Sequence, residues 1–452
     1  MAEASDTPLR IALIGDFSGR ANRNRREAPK PIQIDPENFE HVMQRLGVAL
    51  EFPGVASLRF RDLDDFHPDQ LYGNLPLFDA IREAKKELAN PKNFTATSQK
   101  QEAVREPEPE PQRPATSGSL LEQIAAGSTA PAAALKRVPT GKEAALDQAI
   151  RDIGARHATP APDPRQQEML ATVESVAAAQ MRTLLHHPDF QDLEAAWRSV
   201  FFLFQQLETG VDLQIHLVDL SRHDLHQDGL IEGLFAERAL GENPWSLLVG
   251  LYTFSPNQHD CAALARMASV ARKSGAPFLA AIDTRLFGCQ SIQATPDPDD
   301  WKQPLPAEDA RAWLELRQSA GAAWLGLVAP RFLLRLPYGK TTSPVESFAF
   351  EEMPSPPVHA EYLWGNPAIA CACLLAQSRI AGRVNRIGSV PVHVHAPGDA
   401  TPQAEIWMSE RLAARIIDQG VMPLASVKHS DAIQLVRFQS IADPSQALPG
   451  TW

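Results

Sequence analysis

Apolar positions along the chain follow two rhythms, one of period two and one of period three to four. Residues 9–14 (LRIALI) read as a short buried strand that ends in Gly15-Asp16-Phe17-Ser18-Gly19. Residues 32–34 predict a brief second strand. Asp35-Pro36-Glu37-Asn38 then favours a helix start, with Asp as cap, Pro in the first turn and Glu near the positive end of the dipole. Phe39, Val42, Met43 and Leu46 continue it at three- and four-residue steps, so a helix is predicted over 37–46. Residues 56–60 alternate weakly as a strand. Residues 63–71 contain a loop with Asp64-Asp65-Phe66-His67-Pro68-Asp69, and a helix is predicted over 76–88.

The pattern stops at residue 95. Residues 95–118 hold Glu106-Pro107-Glu108-Pro109-Glu110-Pro111 and almost no large apolar side chain. Such a stretch buries too little to offset its ordering entropy, which predicts an extended, disordered linker. Ser119, Leu120, Leu121, Glu122, Gln123 and Ile124 make a small island in it. Ile124 follows Leu120 by four and Leu121 by three, so the three share one face of a helix with Ser119 as its cap. Gly127 and Pro131 would cut that helix short, and a chance apolar island stays open as the alternative. A helix over 142–156 and a Pro-rich break over 159–164 follow.

The second folded region begins near Arg165. Leu170, Val173, Ala177, Met181 and Leu184 mark one amphipathic helix; Phe190, Leu193, Trp197, Val200, Phe201 and Phe204 mark a wide apolar stripe on the next. The two are expected to pair as a hairpin with Trp197 buried. Strands and helices then alternate: strands over 212–218, 247–254, 277–282, 324–328, 390–395, 422–427 and 433–438, helices over 258–273, 307–319, 359–378 and 403–419. That alternation predicts an α/β fold, a mixed sheet covered by helices.

Composition narrows the classes. The chain has 452 residues, 44% hydrophobic and 22% charged, close to a globular average, so a large core and two or three domains are expected. Its 43 basic and 55 acidic residues leave a formal charge of −12, which argues against nucleic acid or acidic membrane as the main partner. No run approaches the roughly 20 apolar residues that cross a bilayer, and the polar, acidic start does not read as a signal peptide. Both point to a cytoplasmic protein. Four cysteines are too few for a disulfide framework, and Cys371 and Cys373 lie two apart on a helical stretch, pointing to different sides. Buried, reduced thiols are expected at all four positions.

Candidate chemistry is sparse. The Gly15–Gly19 turn follows a strand where a phosphate loop could sit, but it lacks the Gly-Lys-Ser/Thr ending, so a tight turn is expected. His186 and His187 are adjacent and diverge on a helix. His67-Pro68-Asp69 and His187-Pro188-Asp189 read as helix starts, Pro in the first turn and Asp at the positive dipole end. Asp62, Asp64, Asp65 and Asp69 lack the central Gly and late Glu of a calcium loop, and a solvated turn is expected. His393 and His395 alternate on one strand without a visible third metal ligand. Neither a nucleophile elbow nor a zinc-protease motif occurs. No catalytic residue, cofactor site or metal site follows from these residues.

Several stretches in order resemble the two subunits of the contractile sheath of the bacterial type VI secretion system. Leu13-Ile14-Gly15-Asp16-Phe17-Ser18-Gly19, Ile34-Asp35-Pro36-Glu37-Asn38-Phe39-Glu40-His41-Val42-Met43 and Asp64-Asp65-Phe66-His67-Pro68-Asp69 resemble the small, TssB-like subunit. Leu184-Leu185-His186-His187-Pro188-Asp189-Phe190-Gln191, Leu193-Glu194, Trp197-Arg198, Ala276-Pro277-Phe278 and Leu286-Phe287-Gly288 resemble the large, TssC-like one. So do Pro330-Arg331-Phe332-Leu333-Leu334-Arg335-Leu336-Pro337-Tyr338-Gly339, Phe350-Glu351-Glu352 and Tyr362-Leu363-Trp364-Gly365-Asn366. The resemblance implies a fusion of both, with a small-subunit-like region at 1–94, the linker at 95–118, a large-subunit N-terminal segment at 119–163 and a large-subunit-like core at 164–452.

It further implies a non-enzymatic structural protein acting by protein–protein contact. The implied partners are other sheath subunits, baseplate or inner-tube proteins, and a ClpV-type ATPase recognising residues 119–124. The two subunit-like regions are expected to pack on each other. Only eight residues precede Leu9, and the chain stops nine residues after Asp443, so both interlacing ends of the family look shortened. That favours a chain that forms no tube alone, and leaves open an accessory protein that caps, docks on or regulates a sheath or baseplate. An α/β enzyme or nucleotide-binding protein without a recognisable site is the alternative of another class.

Overall fold

Strand β1 (Leu9–Gly15) is buried along its whole length. A strand with no exposed face requires sheet neighbours on both sides and helices above and below. The computed structural model supplies them; it describes residues 8–24, 29–52, 57–89, 164–236, 244–382, 384–396 and 398–450. The linker, the 119–124 segment and the expected helix over 142–156 lie outside the described residues.

The chain divides into two compact units, one of Met1–Asp79 with Val176–Trp452, the other of Ala80–Ser175. In the first unit, β1 pairs in parallel with β5 (Leu213–Asp219) on one side and β6 (Leu247–Phe254) on the other. Ile11 stands opposite Ile215 and Leu247. The parallel set continues through β7 (Phe278–Ile282), β8 (Leu325–Ala329) and β14 (Val421–Ser426). Antiparallel strands close the margins: β2 (Ile32–Ile34) beside β5, then β15 (Ile433–Leu435) and β11 (Arg386–Ile387) beyond β14. Among the described residues this makes one nine-stranded sheet in the order β11-β15-β14-β8-β7-β6-β1-β5-β2. The mixed α/β architecture expected from the alternation is present. The strands that the sequence assigns to two regions share one sheet.

Helices cover both faces. Leu264, Met267 and Ala271 of α7 (Gln258–Ser274) pack with Leu248, Phe278 and Leu325. On the opposite face α9 (Pro367–Ala381) lies across β6, β7 and β8. Its Ala368, Ala370, Cys371, Ala372 and Cys373 are fully buried, and small side chains let the helix approach the sheet closely. All four cysteines are buried and free, and burial pushes the Cys289 thiol up to about 11 and Cys261 up to about 12.

The helix α5 (Pro188–Gln206) follows α4 (Pro164–Leu185) after the His186-His187 turn. Trp197 is fully buried on α5. Phe17 and Phe39, from before residue 80, meet its ring edge-on at 5.7 and 5.4 Å. The stripe is narrower than its sequence suggests: Phe190, Leu193, Trp197 and Val200 are buried, whereas Phe201 is 43% exposed.

Local differences from the sequence reading have local causes. Residues 63–71 are largely helical, with a 3₁₀ turn at Asp64–Phe66 and then α2 (Pro68–Asn74). The expected helix over 359–378 begins only at Pro367, because Asn366 Oδ1 accepts from the Ala368 amide and Pro bars its predecessor from helical geometry. Residues 403–409 are not helical; Ser409 caps α10 (Glu410–Asp418) through Leu412 N. The strand expected over 390–395 is reduced to Val394–Ala396.

In the second unit, the described residues come from α3 (Asp79–Ala89) and the first half of α4. Lys85 Nζ meets Glu174 Oε1 at 2.6 Å, and Gln166 donates to the Leu88 carbonyl.

Trp197→Ala is expected to cost about 3–5 kcal/mol through lost transfer energy and cavity formation. Denaturant unfolding of the purified chain measures it; an unchanged midpoint would place the ring outside the core.

Candidate functional site

The Gly-Asp-Phe-Ser-Gly turn leaves the carboxyl end of β1 and meets the carboxyl end of β5. Asp219 Oδ1 accepts from the amides of Phe17 at 2.9 Å and Ser18 at 3.0 Å, and its Oδ2 from the Ser18 hydroxyl at 2.8 Å. The Phe17 carbonyl accepts from Trp197 Nε1 at 2.8 Å. Asp16 accepts from the amides of Arg20 and Ala21. Burial nevertheless pushes its carboxyl up to about 6, with Asp219 adding to the rise. Arg20 forms a buried ion pair with Asp224 at 2.7 Å. Gly19 has φ +71°, and a Cβ there would lie 2.1 Å from the Ala49 carbonyl oxygen, so only glycine fits. The turn amides that a phosphate would need are already committed to Asp219, as a tight turn requires.

A second contact joins the same regions. His67 Nδ1 caps α2 by accepting from Asp69 N at 3.2 Å, and Asp69 accepts from the amides of Glu346 and Ser347 at 3.1 and 2.8 Å. Phe60 and Phe66 stack at 4.2 Å and meet Phe190 edge-on. His187 caps α5 in the same way as His67 caps α2, through Asp189 N. Both His-Pro-Asp tripeptides therefore start helices, with the imidazole as a cap that Pro and Asp alone did not suggest.

Beneath these contacts lies a buried ionic network. Glu194 Oε1 takes Arg198 Nε at 2.6 Å and Arg335 Nε at 2.8 Å. The other edge of the Arg335 guanidinium reaches Glu352 at 2.7 and 3.0 Å. Glu352 also accepts from the Tyr338 amide at 2.6 Å, and Arg198 donates to the Tyr338 hydroxyl at 3.0 Å. Two guanidinium groups thus balance two carboxylates out of water. Burial pushes Glu352 up, but Arg335, His186 and the Tyr338 amide outweigh it and hold the carboxyl at about 2.

The remaining candidates scatter. His186 stands 3.7 Å from Glu352. The Tyr362 hydroxyl lies between His393 and Thr401, and His395 pairs with Asp399 at 3.0 Å. Asp62 receives the Asp65 amide and Asp65 receives Arg61 N, so the four aspartates do not converge. Among the described residues no group of three His, Cys, Asp or Glu side chains could hold a metal ion. None of their helices is long and apolar enough to cross a membrane. Residues 119–124 lie outside the described residues. Sequence reasoning assigned no role to Asp219, Asp224, Glu194, Arg335 or Glu352; the signal was a charged letter set inside an apolar run, as Arg335 is between Leu334 and Leu336.

The first unit is a mixed α/β sheet in which an N-terminal strand is interior and buried ion pairs lock the segments around it. The tail-sheath family described as "EvpB/VC_A0108, tail sheath N-terminal domain" (VipB) matches residues 167–442, and "Type VI secretion system, VipA, VC_A0107 or Hcp2" matches residues 1–106. The Type VI secretion system sheath protein TssC1 of Pseudomonas aeruginosa is 31% identical over 337 residues, covering 67% of this chain and 68% of that protein. The chain belongs to the type VI secretion tail-sheath family. It is a structural sheath component that carries small- and large-subunit domains in one chain.

Arg335→Leu is expected to cost about 3–5 kcal/mol at neutral pH, because it leaves Glu194 and Glu352 buried with lost partners. Glu352 is held below its usual 4.5, so its share of stability is intact above that pH and is lost as pH falls towards about 2. Urea titrations of both proteins at neutral pH and in acid read these effects; equal stability at neutral pH would show that the network contributes nothing.

Proposed function

We propose that this chain works in the bacterial cytoplasm as a fused sheath subunit, without catalysis, by protein–protein contact. Residues 1–94 and 164–452 act as the small- and large-subunit-like regions, with 95–118 as the seam between them. The carrying observation is β1, which fills the place between β5 and β6. A chain that keeps both regions covalently joined holds them at one-to-one stoichiometry and high effective concentration. Its partners are other sheath subunits, and through the assembled sheath, baseplate and inner-tube proteins. Residues 119–124 serve as the ClpV-type ATPase recognition segment. Their apolar face at i, i+1 and i+4 suits helix-in-groove binding. The commitment of the turn amides to Asp219, and the pairing of Arg222 with Asp260 and Arg331 with Glu405, support the non-enzymatic reading over a nucleotide site.

Co-sedimentation with polymerised sheath from separately encoded small and large subunits tests this. The purified, labelled chain is expected in the pellet with the sheath. Recovery wholly in the supernatant, with no capture by free sheath subunits, would contradict the proposal.

A further inference from the structure

The helix α1 (Phe39–Leu46) and α5 leave a groove of about 610 Å3 between them, closed on its third side by the turn at Asp62–Asp64. Its apolar surface is Phe39, Phe201, Phe204 and Leu63. The Phe39 ring stands 6.5 Å from Phe201 and 6.1 Å from Phe204, edge to face, so the three rings form one continuous patch. Phe39 is buried, but Phe201 is 43% exposed on a helix whose neighbouring turns bury Trp197 and Val200 completely. Phe201 thus leaves the apolar floor of the groove open to solvent.

The rim is acidic. Glu37 and Glu40 line the α1 side, and Asp62 and Asp64 the other. None of these four carboxylates forms an ion pair among the described residues. Arg61, the neighbouring cation, is already paired with Asp65. His41 is the one basic side chain in the lining, and Gln44 completes the α1 edge. Glu40 and His41 lie four and three residues before Gln44 on α1 and edge the groove with it, and Glu37 stands in the turn just before the helix.

We propose that this groove docks a basic amphipathic helix from a partner protein. Four aliphatic side chains at i, i+3, i+4 and i+7 would lie on the phenylalanines, as in other helix-in-groove contacts. Lysine or arginine on both flanks would meet the four rim carboxylates. Rim charge adds encounter rate and register more than affinity, so binding weakens with salt. The proposal stands apart from the sheath role, which concerns how copies assemble and is read by co-sedimentation.

The probe is a fluorescein-labelled 18-residue peptide with leucine at those spacings and lysine elsewhere. Its control carries glutamate in place of lysine. Anisotropy titration of the full chain is expected to show saturable binding of the lysine peptide and at least ~10-fold weaker binding of the control, about 1.4 kcal/mol. Phe201→Ser should weaken the lysine peptide ~10-fold or more. The double change Glu40→Lys with Asp64→Lys should weaken it similarly and remove the salt dependence. All these positions are exposed, and unchanged thermal midpoints would show that the variants are folded. No binding, binding unaltered by either variant, or equal binding of the control would overturn the proposal. Concentration-dependent dimerisation of the chain that Phe201→Ser abolishes would assign the groove to a second copy and would also overturn it.

Discussion

Everything in the first unit depends on β1 having two parallel neighbours. Its seven residues present an apolar side chain or a committed polar one on each face, and its backbone groups pair on both edges. Removing such a strand would strip β5 from β6 and leave both with open edges, which in water invite wrong pairing. The turn after β1 is then fixed by Asp219 and Trp197, both carried by the larger region. Residues before position 80 therefore form part of the fold itself and do not simply append to it.

The ionic network serves this arrangement in a different way. A buried ion pair gains little net stability over an apolar replacement, but it is intolerant of misplacement. Glu194 lies on α5, Arg335 and Tyr338 follow β8, and Glu352 comes later still. Their charges balance only when these segments sit in one register. The motif letters that carry the family resemblance in the sequence are the same residues, which gives the resemblance a physical content: they specify how the α5 helix meets the loop beyond β8.

Much of this was legible beforehand. The strand 247–254 and the helix 258–273 match the sequence reading nearly to the residue, because one is an unbroken apolar run and the other a helical length of chain; the caps Asn257 and Gly275 that end the helix are seen only in the structure. The helix start at Pro367 was missed, because Tyr362, Leu363 and Trp364 continue the apolar pattern across a real cap. The exposure of Phe201 was invisible, since periodicity marks a stripe but not where its covering ends. The polar locks were seen as letters and not as a cluster. Asp219 and Ser18 are remote in sequence, and only the parallel pairing of β1 with β5 brings them together.

The N-terminal strand is an interior member of the nine-stranded sheet and should unfold with it as one cooperative unit. Native-state hydrogen exchange resolved to β1, β5 and β6 tests it most directly, since amides that open only with the whole fold share its free energy of unfolding. The amides of Ile11, Leu13 and Ile14 are expected to exchange as slowly as those of Ile215, Leu217 and Val249. Fast exchange in β1 beside slow exchange in β5 and β6 would mean that the strand detaches independently and is not part of one cooperative sheet.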